Sequence, residues 1–209
     1  MKNTVAFILI MLMLPGCAVV RSESYFAADT LEGKPEWTGD PGVMHITGKP
    51  NSIRYTQDEI DFTVHASHIS SRTYSIGPCL PFPLPLIPVF GLDRSDHTGP
   101  VQISFHVLQS KILYQLIRAT LLADNRSLAP KKIDAYNNSA GEGRSIPHET
   151  FLPVSLIDKS AYVLTYDMLI SSTAVYELVY YMQDVSGSNF IKGKILFKQD
   201  SSTTFVCIF

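Results

Sequence analysis

The side chains of this 209-residue chain best suited to chemistry are three cysteines, six histidines and a short acidic cluster. Their spacing limits what that chemistry could be. His65 and His68 are the closest pair of histidines. Three positions apart on a strand, their rings point to opposite faces, so they could share a metal only if the strand ended between them. His45, His97, His106 and His148 have no ligand-like spacing. His148-Glu149 begins like a zinc-protease helix, but no second His follows at the required distance and Pro153 interrupts. Strand alternation separates Asp58 from Glu59 and Asp61, so these carboxylates read as a solvated edge rather than a cation site. No Gly-x-Ser-x-Gly elbow and no Ser-x-x-Lys pair occurs. Gly42 stands five residues from Gly48-Lys49, and Pro50 replaces the Ser or Thr of a phosphate loop. No metal, cofactor or catalytic residue is therefore expected. An enzyme would need a site assembled only by the fold.

The third cysteine, Cys17, has a different context. Met1-Lys2-Asn3 is a short positive start, and Val5 to Leu14 is an unbroken apolar run of the length of a secretory signal core. The run stops at Leu14-Pro15-Gly16-Cys17, which resembles a bacterial lipobox. The resemblance implies thioether lipidation of Cys17, cleavage before it, and acylation of its new amino group. It implies a chain held in a bacterial cell envelope by several acyl chains, enough for stable anchoring. Ala18, where an Asp would favour inner-membrane retention, points to the outer membrane, facing the periplasm. Residues 1–16 then form the signal peptide. In that oxidising compartment the remaining pair, Cys79 and Cys207, is a disulfide candidate. Two buried thiols are the alternative.

The most unusual segment runs from Gly77 to Gly91, with five prolines and no charge. In an extended strand Pro81, Pro83 and Pro85 remove N–H donors from one edge, which suits an edge strand that no other chain can extend. Phe82, Leu84 and Leu86 then need cover, from the domain itself or from a partner or membrane surface.

These groups must be positioned by strands. Ile60 to Ser67 and Val101 to Leu108 alternate apolar and polar with period two, the signature of a strand with one dry face. Val43 to Ile46 alternates over a shorter stretch. Tyr162 to Ile170, Val175 to Met182, Ile191 to Phe197 and Thr203 to Phe209 are rich in Tyr, Val, Ile, Thr and Phe and are separated by turn residues. Ile112 to Leu122 could form a helical face. A strand is preferred, because a turn at 123–127 and an extended Leu128-Ala129-Pro130 follow it. The fold expected is all-β, an antiparallel β-sandwich of about seven or eight strands, immunoglobulin-like in architecture. Residues 42–209 form the domain. Residues 17–41, rich in Ser, Gly, Pro and Asp with no apolar face, read as a lipidated tether within which Trp37 could latch onto the domain.

Composition narrows the function. The chain is 45% hydrophobic and 17% charged, which excludes a disordered or collagen-like protein. A net charge of −2, made more negative by removal of Lys2 with the signal peptide, argues against nucleic acid. The reading is a membrane-anchored, non-catalytic binding or structural module whose partners are the membrane, through the lipid, and another envelope protein. The alternatives are an envelope hydrolase, which needs a cleft gathering a His, an Asp and a Ser or Cys, and a small-ligand carrier with a cavity between its sheets.

Overall fold

The computed structural model describes residues 17–30, 33–37, 44–45, 47–57, 59–67, 69–78, 90–96, 99–124, 126–137, 148–170 and 175–208. They form strands β1 (Cys17–Asp29), β2 (Lys34–Glu36), β3 (Met44–His45), β4 (Ser52–Gln57), β5 (Ile60–Ala66), β6 (Ser70–Pro78), β7 (Phe90–Asp96) and β8 (Pro100–Ser110). The second half adds β9 (Tyr114–Ala123), β10 (Arg126–Leu128), β11 (Lys132–Asn137), β12 (His148–Thr150), β13 (Val154–Leu156), β14 (Ser160–Leu169), β15 (Val175–Asp184) and β16 (Phe190–Ile208). Among the described residues no helix is long and apolar enough to cross a membrane.

All strand pairs are antiparallel. The first sheet has nine strands, ordered β10-β9-β15-β16-β1-β6-β7, with β13 beside β9 and β3 beside β16. The second has seven, ordered β12-β11-β14-β8-β5-β4-β2. The two pack face to face as the expected β-sandwich. The expectation of seven or eight strands missed short pieces such as β10, β12 and β2, which end the sheets with three residues each. Such brief edges offer little template for pairing with another chain.

Alternation builds the core. Ile60, Phe62, Val64 and Ala66 of β5, and Val101, Ile103, Phe105 and Val107 of β8, all point inward and are buried. Tyr176, Leu178, Tyr180 and Met182 of β15 answer them from the other sheet. Tyr180 is the central rivet: its ring meets Tyr55, Phe62 and Phe105 of the second sheet edge-on, with centroids 5.8, 6.0 and 5.6 Å away. Edge-to-face pairs of this kind add to the burial energy of the rings. Gly193 lies directly opposite Tyr180 on β16, and a Cβ there would overlap the Tyr180 phenol. A glycine is needed so that the ring can lie over the neighbouring strand.

Two turns fix the frame. Tyr162 donates its hydroxyl proton to the Ser155 carbonyl at 2.7 Å and accepts from the Ile157 N–H at 2.8 Å, a tyrosine corner locking β13 to β14. Between β15 and β16 the Asp184 carboxylate accepts from the Ser186 hydroxyl, the Ser188 N–H and the Asn189 amide at 2.9, 2.9 and 2.8 Å. Burial pushes the Asp184 carboxyl up, but these donors outweigh it and hold it below its ordinary value.

Two expectations are corrected. The tether expected over 17–41 is in large part strand: β1 runs from Cys17 to Asp29, paired with β16 on one side and β6 on the other, and β2 pairs with β4. The sandwich therefore takes in residues from Cys17 rather than from residue 42. The alternation that would betray β1 is missing because Tyr25, Phe26, Ala27 and Ala28 are all buried, on both faces. Phe26 and Ala28 join the core, whereas Tyr25 meets the latch residue Trp37 with ring centroids at 5.6 Å. Its hydroxyl also donates to the Lys49 carbonyl at 2.7 Å. Burial, reinforced by the Asp200 carboxylate, pushes the Tyr25 phenol up to about 12. Second, the two strands expected at 191–197 and 203–209 are one, β16, which runs unbroken through Asp200-Ser201-Ser202 because β1 pairs with it along that whole stretch. The ambiguous stretch from Ile112 is strand, as expected, with β9 beginning at Tyr114 beside β15.

Candidate functional site

Two regions of the first sheet could carry function. One is the outer face of β9, β15 and β16. Around the register shift between Tyr181 and Met182 the β9 partner of β15 skips from Arg118 to Leu116, leaving Ile117 as an extra residue. Ile117, Leu122 and Val179 line an open depression of about 540 Å³, with Arg118, Lys192 and Tyr181 also in its wall. The Arg118 Nε–H donates to Thr120 Oγ1 at 2.9 Å, which directs the guanidinium along the wall. Tyr181 stacks on Phe190 with centroids at 6.2 Å, and Phe190 is 69% exposed. Among the described residues its lining is apolar, hydroxyl and cationic: Thr120, Ser127 and Tyr181 offer hydroxyl groups beside the positive charges of Arg118 and Lys192.

The other region is the end of the first sheet at which β1 starts and β16 stops. Cys17 stands between Pro78 of β6 and Ile208 of β16, and Ala18 between Gly77 and Cys207. Thus Cys17, Cys207 and the start of the proline-rich stretch share one end of one sheet. Cys79, Phe82, Leu84 and Leu86 lie outside the described residues. The chain leaves this end at Pro78 and rejoins it at Phe90, where β6 and β7 pair through Tyr74–Gly91 and Ser75–Phe90.

The described histidines and carboxylates lie in separate places on the two sheets. Neighbouring strands β5 and β8 bring His65 and His106 together, rings stacked at 5.0 Å on the outer face of the second sheet. Burial pulls His106 below its ordinary value. This pair was readable in principle, since both histidines occupy the polar phase of their strand's alternation, but the pairing of β5 with β8 is not written in either segment. His148 lies on β12, His45 on β3, and His68 and His97 lie outside the described residues. Asp61 of the acidic cluster accepts two hydrogen bonds from Arg54, at 2.9 and 2.6 Å, across the β4–β5 hairpin. Those bonds hold its carboxyl below the ordinary value. Asp58 lies outside the described residues. Among the described residues no group of three potential ligands could hold a metal ion.

Comparison of the chain with protein-family models, with curated proteins and with solved structures finds no match.

Proposed function

We propose that this chain is a lipid-anchored module of a bacterial cell envelope, held through Cys17, that works by binding rather than by catalysis. The supporting observation is the position of Cys17 in the sheet. It is paired with Pro78 and Ile208, so an anchor on it would join the sandwich with no flexible spacer. The module would stand end-on at the membrane, its binding face held at a fixed height. In that arrangement the outer face of β9 and β15, with its 540 Å³ depression, is turned sideways to the membrane and open to a neighbouring envelope component. The outer membrane, facing the periplasm, is the location that Ala18 favours.

Labelling cells with a radioactive fatty acid tests the reading. Wild type should carry label and enter the detergent phase. Cys17→Ser should lose the label and accumulate uncleaved or leave the membrane. A Cys17→Ser protein of mature size that still partitions into detergent would overturn it.

A further inference from the structure

We infer that the end of the first sheet formed by the tips of β1, β6, β7 and β16 is a membrane-contact surface, seated in the headgroup layer beside the anchor. The inference rests on the proposed lipidation of Cys17 and extends it from one residue to a surface.

The register supplies the argument. The strand tips that meet at this end, residues 17–20 of β1, 73–78 of β6, 90–92 of β7 and 201–208 of β16, carry no charged residue. Moving toward the tip, Val20 stands between Phe205 and Tyr74, Val19 between Val206 and Ser75, Ala18 between Cys207 and Gly77, and Cys17 between Ile208 and Pro78. Just inside these rows lie three arginines on adjacent strands: Arg21 on β1, then Arg72 on β6 opposite both Ser22 and Arg94 of β7. Asp93, opposite Thr73, is the acidic residue of those two rows, and Glu23 in the next row bridges Arg21 at 2.7 Å, so the band keeps its excess of positive charge through Arg72 and Arg94. An uncharged tip backed by a cationic band is the charge order that matches acyl chains overlaid by anionic headgroups.

Strands rise about 3.3 Å per residue, so Arg21 lies about 13 Å behind Cys17 along β1, which leaves the arginines at headgroup level when only the last residues of the tip enter the bilayer. Adjacent strands lie about 5 Å apart. Acyl chains on Cys17 entering the bilayer would therefore draw its register partners Pro78 and Ile208 to the same surface. Among the described residues the sheet ends at β7, and open edges are not tolerated in the hydrocarbon interior, which limits the tip to shallow seating rather than spanning.

Tryptophan reporters test this in the full-length protein purified from membranes and reconstituted into phosphatidylethanolamine–phosphatidylglycerol vesicles with brominated acyl chains. In a Trp37→Phe background, Val206→Trp and, as a second reporter at the same end, Leu92→Trp should be quenched several-fold more than Val185→Trp. Val185 lies in the turn at the opposite end of β16 and is 61% exposed. Arg72→Glu with Arg94→Glu should reduce that quenching. Reporters at 206 and 92 quenched no more than at 185 would overturn the inference, and so would blue-shifted but unquenched emission, which would mean that protein covers the tip. Intact mass of the same preparation keeps the two readings apart. Lipid on Cys17 with unquenched tips would leave the anchor reading standing and sink this one. Quenched tips without lipid would do the reverse.

Discussion

Along β16 the first sheet changes character once, and its two halves are built on different principles. From Ile191 to Phe197 the inward residues are apolar and fully covered by the second sheet, with Tyr180 and Gly193 interlocked between β15 and β16. Beyond Lys198 the buried residues among those described are Ser202 and Thr204, and the β1 partner of Ser202, Glu23, is buried and bridged to Arg21 at 2.7 Å. The first half is held by packing against another layer. The second is held in a backbone ladder within its own sheet, with β1 paired to β16 along its whole length and to β6 over Cys17–Ser24. A strand can thus leave the core without leaving the sheet. This is how one element can serve both the sandwich and a surface remote from it.

The sharpest way to break this comparison is to remove packing from the first half. Phe62 is completely buried, stacked on Tyr55 at 5.1 Å and set edge-on to Tyr180. Phe62→Ala should cost about 3–5 kcal/mol, the usual range for a buried Phe truncated in a core that relaxes only partly. Urea unfolding followed by circular dichroism would show it as a lowered midpoint. A loss below about 1 kcal/mol would mean that the two sheets do not pack as described.

How much of this was legible in the sequence follows the same division. Where one face is dry and the other wet, as in Ile60–Ala66 and Val101–Val107, alternation marks the strands directly. Where both faces are covered, as in Tyr25–Ala28, or both are polar, as in Arg21–Ser24, alternation disappears and β1 reads as a linker. Asp200-Ser201-Ser202 reads as a turn for a similar reason. Asp200 spends its carboxylate on the Lys49 and Ser201 N–H groups while the backbone stays in the ladder. The lipobox-like residues mark a place on the chain but not its neighbours. Only the register of β1, β6 and β16 brings Cys17, Pro78 and Cys207 to one end, and pairings between strands distant in sequence leave no local pattern.

A smaller effect sharpens the comparison on the second sheet. His106 stacks on His65 on the outer face of β8 and β5, and burial lowers it from an ordinary value of 6.5. With the folded value below the unfolded one, the unfolded chain binds more protons, so stability rises with pH. The neutral ring is fully tolerated above pH 6.5, and stability is lost as pH falls below 6.5 toward the folded value. Melting wild type and His106→Gln across pH 5 to 7.5 should give a wild-type curve that drops on acidification and a variant curve that drops less. Parallel curves would mean that the ring is not desolvated in the fold.

The smallest expected effect lies in the polar half, at Ser202. The residue is only 1% exposed, and its Oγ is buried with no hydrogen-bond partner among the described residues. A buried hydroxyl without a partner has lost its hydration and gained nothing in exchange, a cost on the order of 1–3 kcal/mol. Ser202→Ala removes that oxygen and leaves a small gap against Gly48 and the Ser201 carbonyl, which lie close together at this point. The two effects oppose each other, so the change in stability should fall between zero and a gain of about 1 kcal/mol. Truncation would thus be nearly free in this half of β16 and severe at Phe62, which packs in the layer that covers the other half. If Ser202→Ala instead destabilises by more than about 1 kcal/mol, the hydroxyl is bonded in solution. The polar half would then be held by side-chain hydrogen bonds as well as by its ladder.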